Sequence, residues 1–461
     1  MTLSRRPWLR GALISALAAA VYAGTLRNGL VWDDRLTATA PMLGPQPGQW
    51  WRPVVMASFA GELALHGGVA AAMHLTNVLL HAAVGILLDR WTLSLGLAPP
   101  AALLGALGFT LHPVQSEAVA YVSGRTDVLC ALFLLLGFLA WRRASRAADR
   151  WAWTTTCLFV LAFGCKEAAL LSPLVLLVPR AHPQGAQGPR PALAVIAAMG
   201  WAALFSARGL VDLRLGDLGG RLPAMAAMGL DYVCLLVWPA HLHLERFVAV
   251  GGWSTAGAVP VVLAALAVVA ALVCLAWPTP AGGVLLVLAA STYLPVAGIV
   301  PVYPAIADRA LFAAEHFLYL PLLGLAPLVA GALVSHWPRA ARPLGIGLAV
   351  VVFAGWGVRG MLRVEEWRDE ETLFRHTLRY DPPAARVWYN LGNLRLAAGD
   401  AAEAARLFEA ALQREPGSAA AHLNLGIAFA RLGQHEEALR QYAEALRLDP
   451  SLAAAFRSSP P

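Results

Sequence analysis

Long apolar runs separated by short polar clusters fill residues 1–362. Runs near 11–26, 73–90, 100–113, 127–141, 151–164, 167–180, 191–208, 223–240, 257–277, 282–300, 315–335 and 342–360 are expected helices, because about 20 apolar residues cross a hydrocarbon core. The run at 223–240 carries Asp231 at its centre and ends in a proline, which predicts a shallow or re-entrant helix. About eleven spans then remain, with all twelve crossing as the alternative. The expected fold class is all-α: a polytopic helical membrane part, residues 1–362, followed by a soluble helical tail, residues 363–461.

The tail has its own period. Residues 385–418 and 419–452 repeat over 34 positions, and Leu391/Leu425, Gly392/Gly426, Ala404/Ala438, Phe408/Tyr442, Ala411/Ala445 and Pro416/Pro450 superpose. This is the tetratricopeptide pattern, in which small residues let two antiparallel helices approach and a proline ends the second. A degenerate half repeat is expected over 367–384. Such arrays form a short α-solenoid that binds extended peptides and performs no chemistry itself. With fewer than three full repeats, this one is expected to lean on the membrane part or on a partner.

Composition agrees with the pattern. The chain is 58% hydrophobic and 14% charged, against about 25% charged for soluble domains. Residues 1–362 hold 23 basic and 14 acidic side chains, whereas 363–461 hold 12 and 14. The arginines lie at the ends of apolar runs, so they orient the chain in a membrane and do not indicate nucleic acid. Arg5, Arg6 and Arg10 place the N-terminus in the cytoplasm. Arg142, Arg143, Arg146 and Arg150, then the stretch 179–191, then Arg339 and Arg342 mark further cytoplasmic loops. Eleven spans leave the C-terminus and the repeats outside. The arginine- and alanine-rich usage points to a GC-rich, bacterial source, hence a bacterial inner membrane. The five cysteines sit in apolar segments without paired or metal-like spacing and read as small apolar residues.

On this topology four charged clusters share the outer face. They are Asp33 and Asp34 after the first run; His112, Glu117, Arg125 and Asp127; Lys166 and Glu167; and Asp308, Arg309, Glu315 and His316. Lys166 is the only lysine in the chain and interrupts an apolar run from Trp151 to Pro179. His74, Asn77 and His81 share one helix face. Each cluster alone has an ordinary reading: a helix cap, a bundle hydrogen bond, or a Lys166–Glu167 pair that satisfies itself. Convergence on one face favours function, since ionisable groups at membrane depth are costly. A base beside cations suits group transfer from a lipid phosphate.

The stretches NGLVWDD, WRPV with HLTNVLLH, HPVQSEAVAYVSGRTDVL, KE, AEHFLYLPLLG, EEWRDEETLF and the repeats together resemble the transmembrane and tetratricopeptide-repeat O-mannosyltransferases. That family belongs to the GT-C superfamily of membrane glycosyltransferases, and the resemblance covers nearly the whole chain. It implies a GT-C-like fold and transfer of a sugar, mannose or another hexose, from a polyprenyl-phosphate donor to a protein hydroxyl on the non-cytoplasmic side. On that resemblance, Asp33 and Asp34 are the catalytic pair. Lys166 and Arg125 are the first candidates for the donor phosphate, with His112 and Arg309 behind them. Glu117, Asp127, Glu167, Glu315 and His316 are further donor-site candidates, and His74, Asn77, His81 and Arg52 support the site. Gln115 stands where the family often has a second histidine. His316 and Leu322 stand where it usually has arginine and serine. No motif demands a metal ion, and a divalent ion held by the carboxylates is left open. Two other readings stay in play: a non-catalytic membrane-anchored scaffold, and a transferase acting on lipid or polysaccharide acceptors.

Overall fold

The computed structural model describes residues 6–37, 44, 51–145, 149–178, 182–183, 200, 218–279, 281–299, 310–380 and 384–452. It divides into two compact units, Met1–Leu242 with Val248–Arg368, and Asp369–Pro461 with His243–Phe247. Strand structure among the described residues is limited to Arg246–Ala249 and Ala310–Ala313. The fold is otherwise helical, as the apolar periodicity requires.

The helices of the first unit are α1 Pro7–Tyr22, α2 Asp34–Thr37, α3 Pro53–His66, α4 Ala70–Ser94, α5 Pro99–Leu111, α6 Ser116–Ala120, α7 Arg125–Trp141, α8 Arg150–Phe163, α9 Leu218–Val237, α10 Thr255–Ala276, α11 Gly282–Tyr293, α12 Tyr319–His336 and α13 Arg342–Glu366. Four of them, α1, α3, α5 and α13, carry proline in their first turn, where a missing N–H costs nothing. Helix α4 packs against α1, α5 and α7 and carries the buried His74, Asn77 and His81. Helix α10 has none of its apolar window buried, and Leu263, Leu266 and Val269 stand exposed on it. That surface suits lipid.

Among the described residues seven helical stretches are long and apolar enough to cross a membrane: Pro7–Arg27, Ala70–Ser94, Val122–Trp141, Leu218–Val237, Thr255–Ala276, Glu315–His336 and Pro343–Glu366. Pro99–Leu111, Glu167–Leu177 and Gly282–Val296 are shorter apolar helices. The protein is an integral, multi-pass membrane protein. The run expected at 191–208 lies outside the described residues. The run expected to be shallow is a continuous 20-residue helix, α9, despite Asp231 and an internal Pro223. Its length therefore gives no ground for leaving it out of the span count. Arg10 is not a loop arginine: it is buried, its Nε donates to Asp89 at 2.9 Å, and it donates to the Pro99 carbonyl.

The apolar run around Lys166 divides differently from the expected pair of helices. Helix α8 ends at Gly164, and Lys166 takes an extended backbone, φ −158° and ψ 135°. Two 3-10 turns follow, Glu167–Ala169 and Ser172–Leu177, instead of an α-helix over 167–180.

The second unit begins with α14 Glu370–Leu378, capped by the Asp369 side chain accepting from Thr372 N. Two hairpins follow, α15 Ala385–Ala397 with α16 Ala401–Arg414, and α17 Ala419–Arg431 with α18 His435–Leu448. Leu396, Ala404, Phe408, Leu425 and Ala428 form their common core. The period-34 glycines have a steric cause. A Cβ at Gly392 would lie 2.6 Å from the Phe408 ring, and one at Gly426 would lie 2.5 Å from the Tyr442 ring. The segment His243–Phe247 belongs to this unit, where Glu245 pairs with Arg386 and the His243 ring stacks on Tyr380 at 4.4 Å.

Candidate functional site

The first unit gathers its charged clusters around the turn 112–125, between α5 and α7. Asn77 on α4 stitches that turn. Its Nδ2 donates to the carbonyls of Val119, Tyr121 and Val122, and its Oδ1 accepts from Arg125 Nε at 2.8 Å.

Asp34 ties the first loop to the same turn. Its carboxylate accepts from Ser123 N at 2.7 Å and from Val31 N and Val122 N at 3.3 Å. It is fully buried. Burial pushes its pKa up to about 7 against the hydrogen bonds that favour its charged form. Asp33 faces the opposite way and is exposed. Just before this pair, Trp32 holds φ +56°, a conformation non-glycine residues seldom adopt and one that clusters at functional sites. Tyr121 is raised well above the ordinary phenol range, first by burial and then by the negative charges of Asp34 and Asp33. Glu117 adds to the same effect, so Asp33, Asp34, Glu117 and Tyr121 form one electrostatic cluster.

The two leading cations are already paired. Lys166 Nζ donates to both Asp127 oxygens, at 2.6 and 2.7 Å, and lies 5.6 Å from the Phe317 ring centroid. It does not pair with Glu167. Arg125 donates to Glu62 at 2.6 Å and to the Met73 carbonyl at 3.0 Å, stacks over Phe59 and is fully buried. The most open of these pairs is Arg52 with Glu167, 3.0 Å apart and 27% and 20% exposed. Asp127 is thus a counter-ion to Lys166, and Glu167 a counter-ion to Arg52.

A second group closes the cluster. Glu117 accepts from His316 N at 3.0 Å and contacts His316 Nδ1 at 2.8 Å. Burial opposes ionisation of Glu117, but His316 outweighs it, and the net direction is down. Glu315 pairs with Arg363 at 3.2 Å, both fully buried, and Arg363 also reaches Glu366. Arg309 lies outside the described residues.

The histidines serve the framework. His112 Nε2 donates to the Leu236 carbonyl while its Nδ1 accepts from Val114 N. His81 bridges the Tyr319 hydroxyl and the Thr110 carbonyl. His74 reaches only the Gly29 carbonyl, at 3.4 Å. Gln115 is buried, with neither amide atom hydrogen-bonded among the described residues. Among the described residues no three His, Cys, Asp or Glu side chains come together as a metal-holding group.

Three participants escaped the sequence reading: Glu62, Arg363 and Tyr121. Glu62 could have been found as an isolated charge in an apolar helix, the signal that singled out Lys166, whereas Arg363 sits among Arg359, Glu365 and Glu366 and does not stand out. Tyr121 carried no such signal.

The class defined so far is a polytopic helical membrane protein with a buried ion-pair cluster at one end of its spans and a tetratricopeptide array. Residues 389–453 match the tetratricopeptide repeat family model. The chain is 32% identical over 176 residues to the human protein O-mannosyl-transferase TMTC4, a match covering 33% of this chain and 23% of that protein. It is 32% identical over 189 residues to Drosophila melanogaster protein O-mannosyl-transferase Tmtc2, covering 35% and 20%. These matches span about a quarter or less of the relatives' length. Over about a third of its length the chain is thus similar to the TMTC protein O-mannosyl-transferases. Among solved structures it is similar to ArnT from Cupriavidus metallidurans bound to undecaprenyl phosphate, with 14% identity and a TM-score of 0.41, covering 96% of this chain and 80% of that one.

Proposed function

We propose that this protein is a GT-C-type membrane glycosyltransferase of a bacterial inner membrane. It moves a hexose, mannose by preference, from a polyprenyl-phosphate donor to a serine or threonine hydroxyl of a protein on the non-cytoplasmic side. The observation that supports the reading best is the exposed Asp33 beside Asp34, whose carboxylate anchors the turn leading into the helix of Arg125 and Asp127, the partner of Lys166.

In the proposed step the acceptor oxygen attacks the anomeric carbon from the face opposite the phosphate, so the configuration inverts. The new carbon–oxygen bond forms as the bond to the phosphate oxygen breaks, and its electron pair leaves with the lipid phosphate. Asp33 takes the hydroxyl proton, since a neutral hydroxyl is a poor nucleophile. Asp34 holds the loop and does not meet the substrate. Positive charge near the leaving phosphate stabilises the developing anion. Arg52 is the cation placed to serve, being the more open, with Lys166–Asp127 and Arg125–Glu62 as its fixed surroundings. The repeats present the acceptor polypeptide.

The test incubates membranes carrying the protein with radiolabelled polyprenyl-phosphate hexose and follows the label. Label in protein, lost in the Asp33→Asn variant, supports the reading. Label in lipid or polysaccharide assigns a different acceptor. Absence of transfer with every hexose donor makes the protein a scaffold.

A further inference from the structure

A cleft of about 480 Å³ lies at the end of the bundle opposite the charged cluster. Helix α7 fixes that separation: Arg125 and Asp127 stand in its first turn, and Arg142 caps its last, about 25 Å away at 1.5 Å per residue. The cleft is lined by Arg142, His182 and Thr279 on its polar side and by Leu95, Trp277 and Pro278 on its apolar side. Among the described residues no acidic side chain lines it.

We propose that this cleft holds the headgroup of an anionic phospholipid. Four observations carry the assignment. The lining is that of a site for an amphiphile, one guanidinium within apolar walls. Trp277, 87% exposed, follows directly on α10, the helix with none of its apolar window buried. An indole at that place marks the membrane interface, and the bare face of α10 gives acyl chains a surface. The walls are formed in advance. His182 Nε2 bridges the carbonyls of Trp141 and Ala144, and Arg142 donates to the Ser94 carbonyl. Arg143 and Arg150, each over the Trp151 ring, add positive charge along the same edge. The ligand chemistry is a phosphate diester. Free inorganic phosphate shares that charge but would gain nothing from Leu95, Trp277 and Pro278. The site is independent of the transferase reading.

The test is native mass spectrometry of the purified full chain with added phosphatidylglycerol or phosphatidylcholine. The wild type is expected to retain phosphatidylglycerol in preference. Arg142→Gln should weaken that retention about fivefold, the worth of one basic side chain at an anionic surface. Arg142→Lys should keep most of it, and Arg440→Gln on the repeats should change nothing. Trp277→Ala, at an exposed position, should also weaken retention and covers the case in which Arg142→Gln does not fold. Equal retention by the wild type and the Trp277→Ala and Arg142→Gln variants overturns the proposal. So does an absence of preference between the two lipids. Stripping of the lipid by millimolar inorganic phosphate overturns it in favour of a free-phosphate site.

Discussion

Asp33 and Asp34 are chain neighbours in opposite surroundings, and this difference separates their expected roles. Asp33→Asn should abolish transfer while leaving the melting temperature in detergent unchanged; near-normal turnover would remove Asp33 as the base. Asp34 should report through stability. Its folded pKa lies near 7 and its unfolded pKa near the ordinary carboxylate value of about 4. The folded state therefore keeps the proton longer, and stability falls as pH rises through that window. The Tm of the wild type minus that of Asp34→Asn should decrease between about pH 5 and pH 7.5. A difference that stays constant or grows would contradict the burial argument. For Lys166 the short contacts to Asp127 decide the expectation. Asp127→Leu alone leaves a buried ammonium and should destabilise by about 3–5 kcal/mol, whereas Asp127→Leu with Lys166→Met should recover most of that loss. Transfer surviving in the double variant would show that the lysine only shapes the turn. Loss of transfer in a double variant of normal stability would return it to the donor site.

At the scale of the element, Asn77 decides how the turn 112–125 sits on α4. One carboxamide serves three carbonyls and one guanidinium. Asn77→Ala should cost about 4 kcal/mol, given four hydrogen bonds at a net value near 1 kcal/mol each. The melting temperature measures it, and an unchanged value would mean that the turn holds by other means. Much of this level was legible beforehand. Asn77 was placed with His74 and His81 on one helix face from spacing, and the repeat helices from their period. The turn at Lys166 was also expected. The nature of its second half was not, because apolarity does not distinguish 3-10 turns from an α-helix once proline and an extended lysine intervene. Asp231 and the proline pointed to a shallow helix at 223–240; the segment is a continuous 20-residue helix, α9, long and apolar enough to cross.

For the whole molecule, the second unit is not a contiguous piece of chain. Glu245, nearly fully buried, pairs with Arg386, and His243 stacks on Tyr380. A fragment beginning at Asp369 should therefore melt lower than the same fragment supplied with a peptide spanning residues 241–249. Equal melting curves would show that the segment contributes nothing to that unit. The two full hairpins were predicted from the sequence because each repeat buries its aromatic against its own glycine, a local requirement that recurs every 34 residues. The segment 243–247 carries no such local requirement, and its partners lie more than a hundred residues away in the chain.

By itself, the sequence determined what depends on neighbours along the chain: apolar runs long enough for a membrane, a repeat period, and charged residues too costly at membrane depth to be incidental. Tertiary structure alone decided which charge meets which. Lys166 and Glu167 adjoin in sequence, yet the extended backbone at Lys166 sends one to Asp127 on α7 and the other to Arg52 at the start of α3. Likewise one aspartate of the Asp33–Asp34 pair turns into backbone amides and the other toward solvent. Pairing of buried charges is set by distances of a few ångströms across elements, since Coulomb attraction at low dielectric and the cost of an unpartnered ion both act at that range.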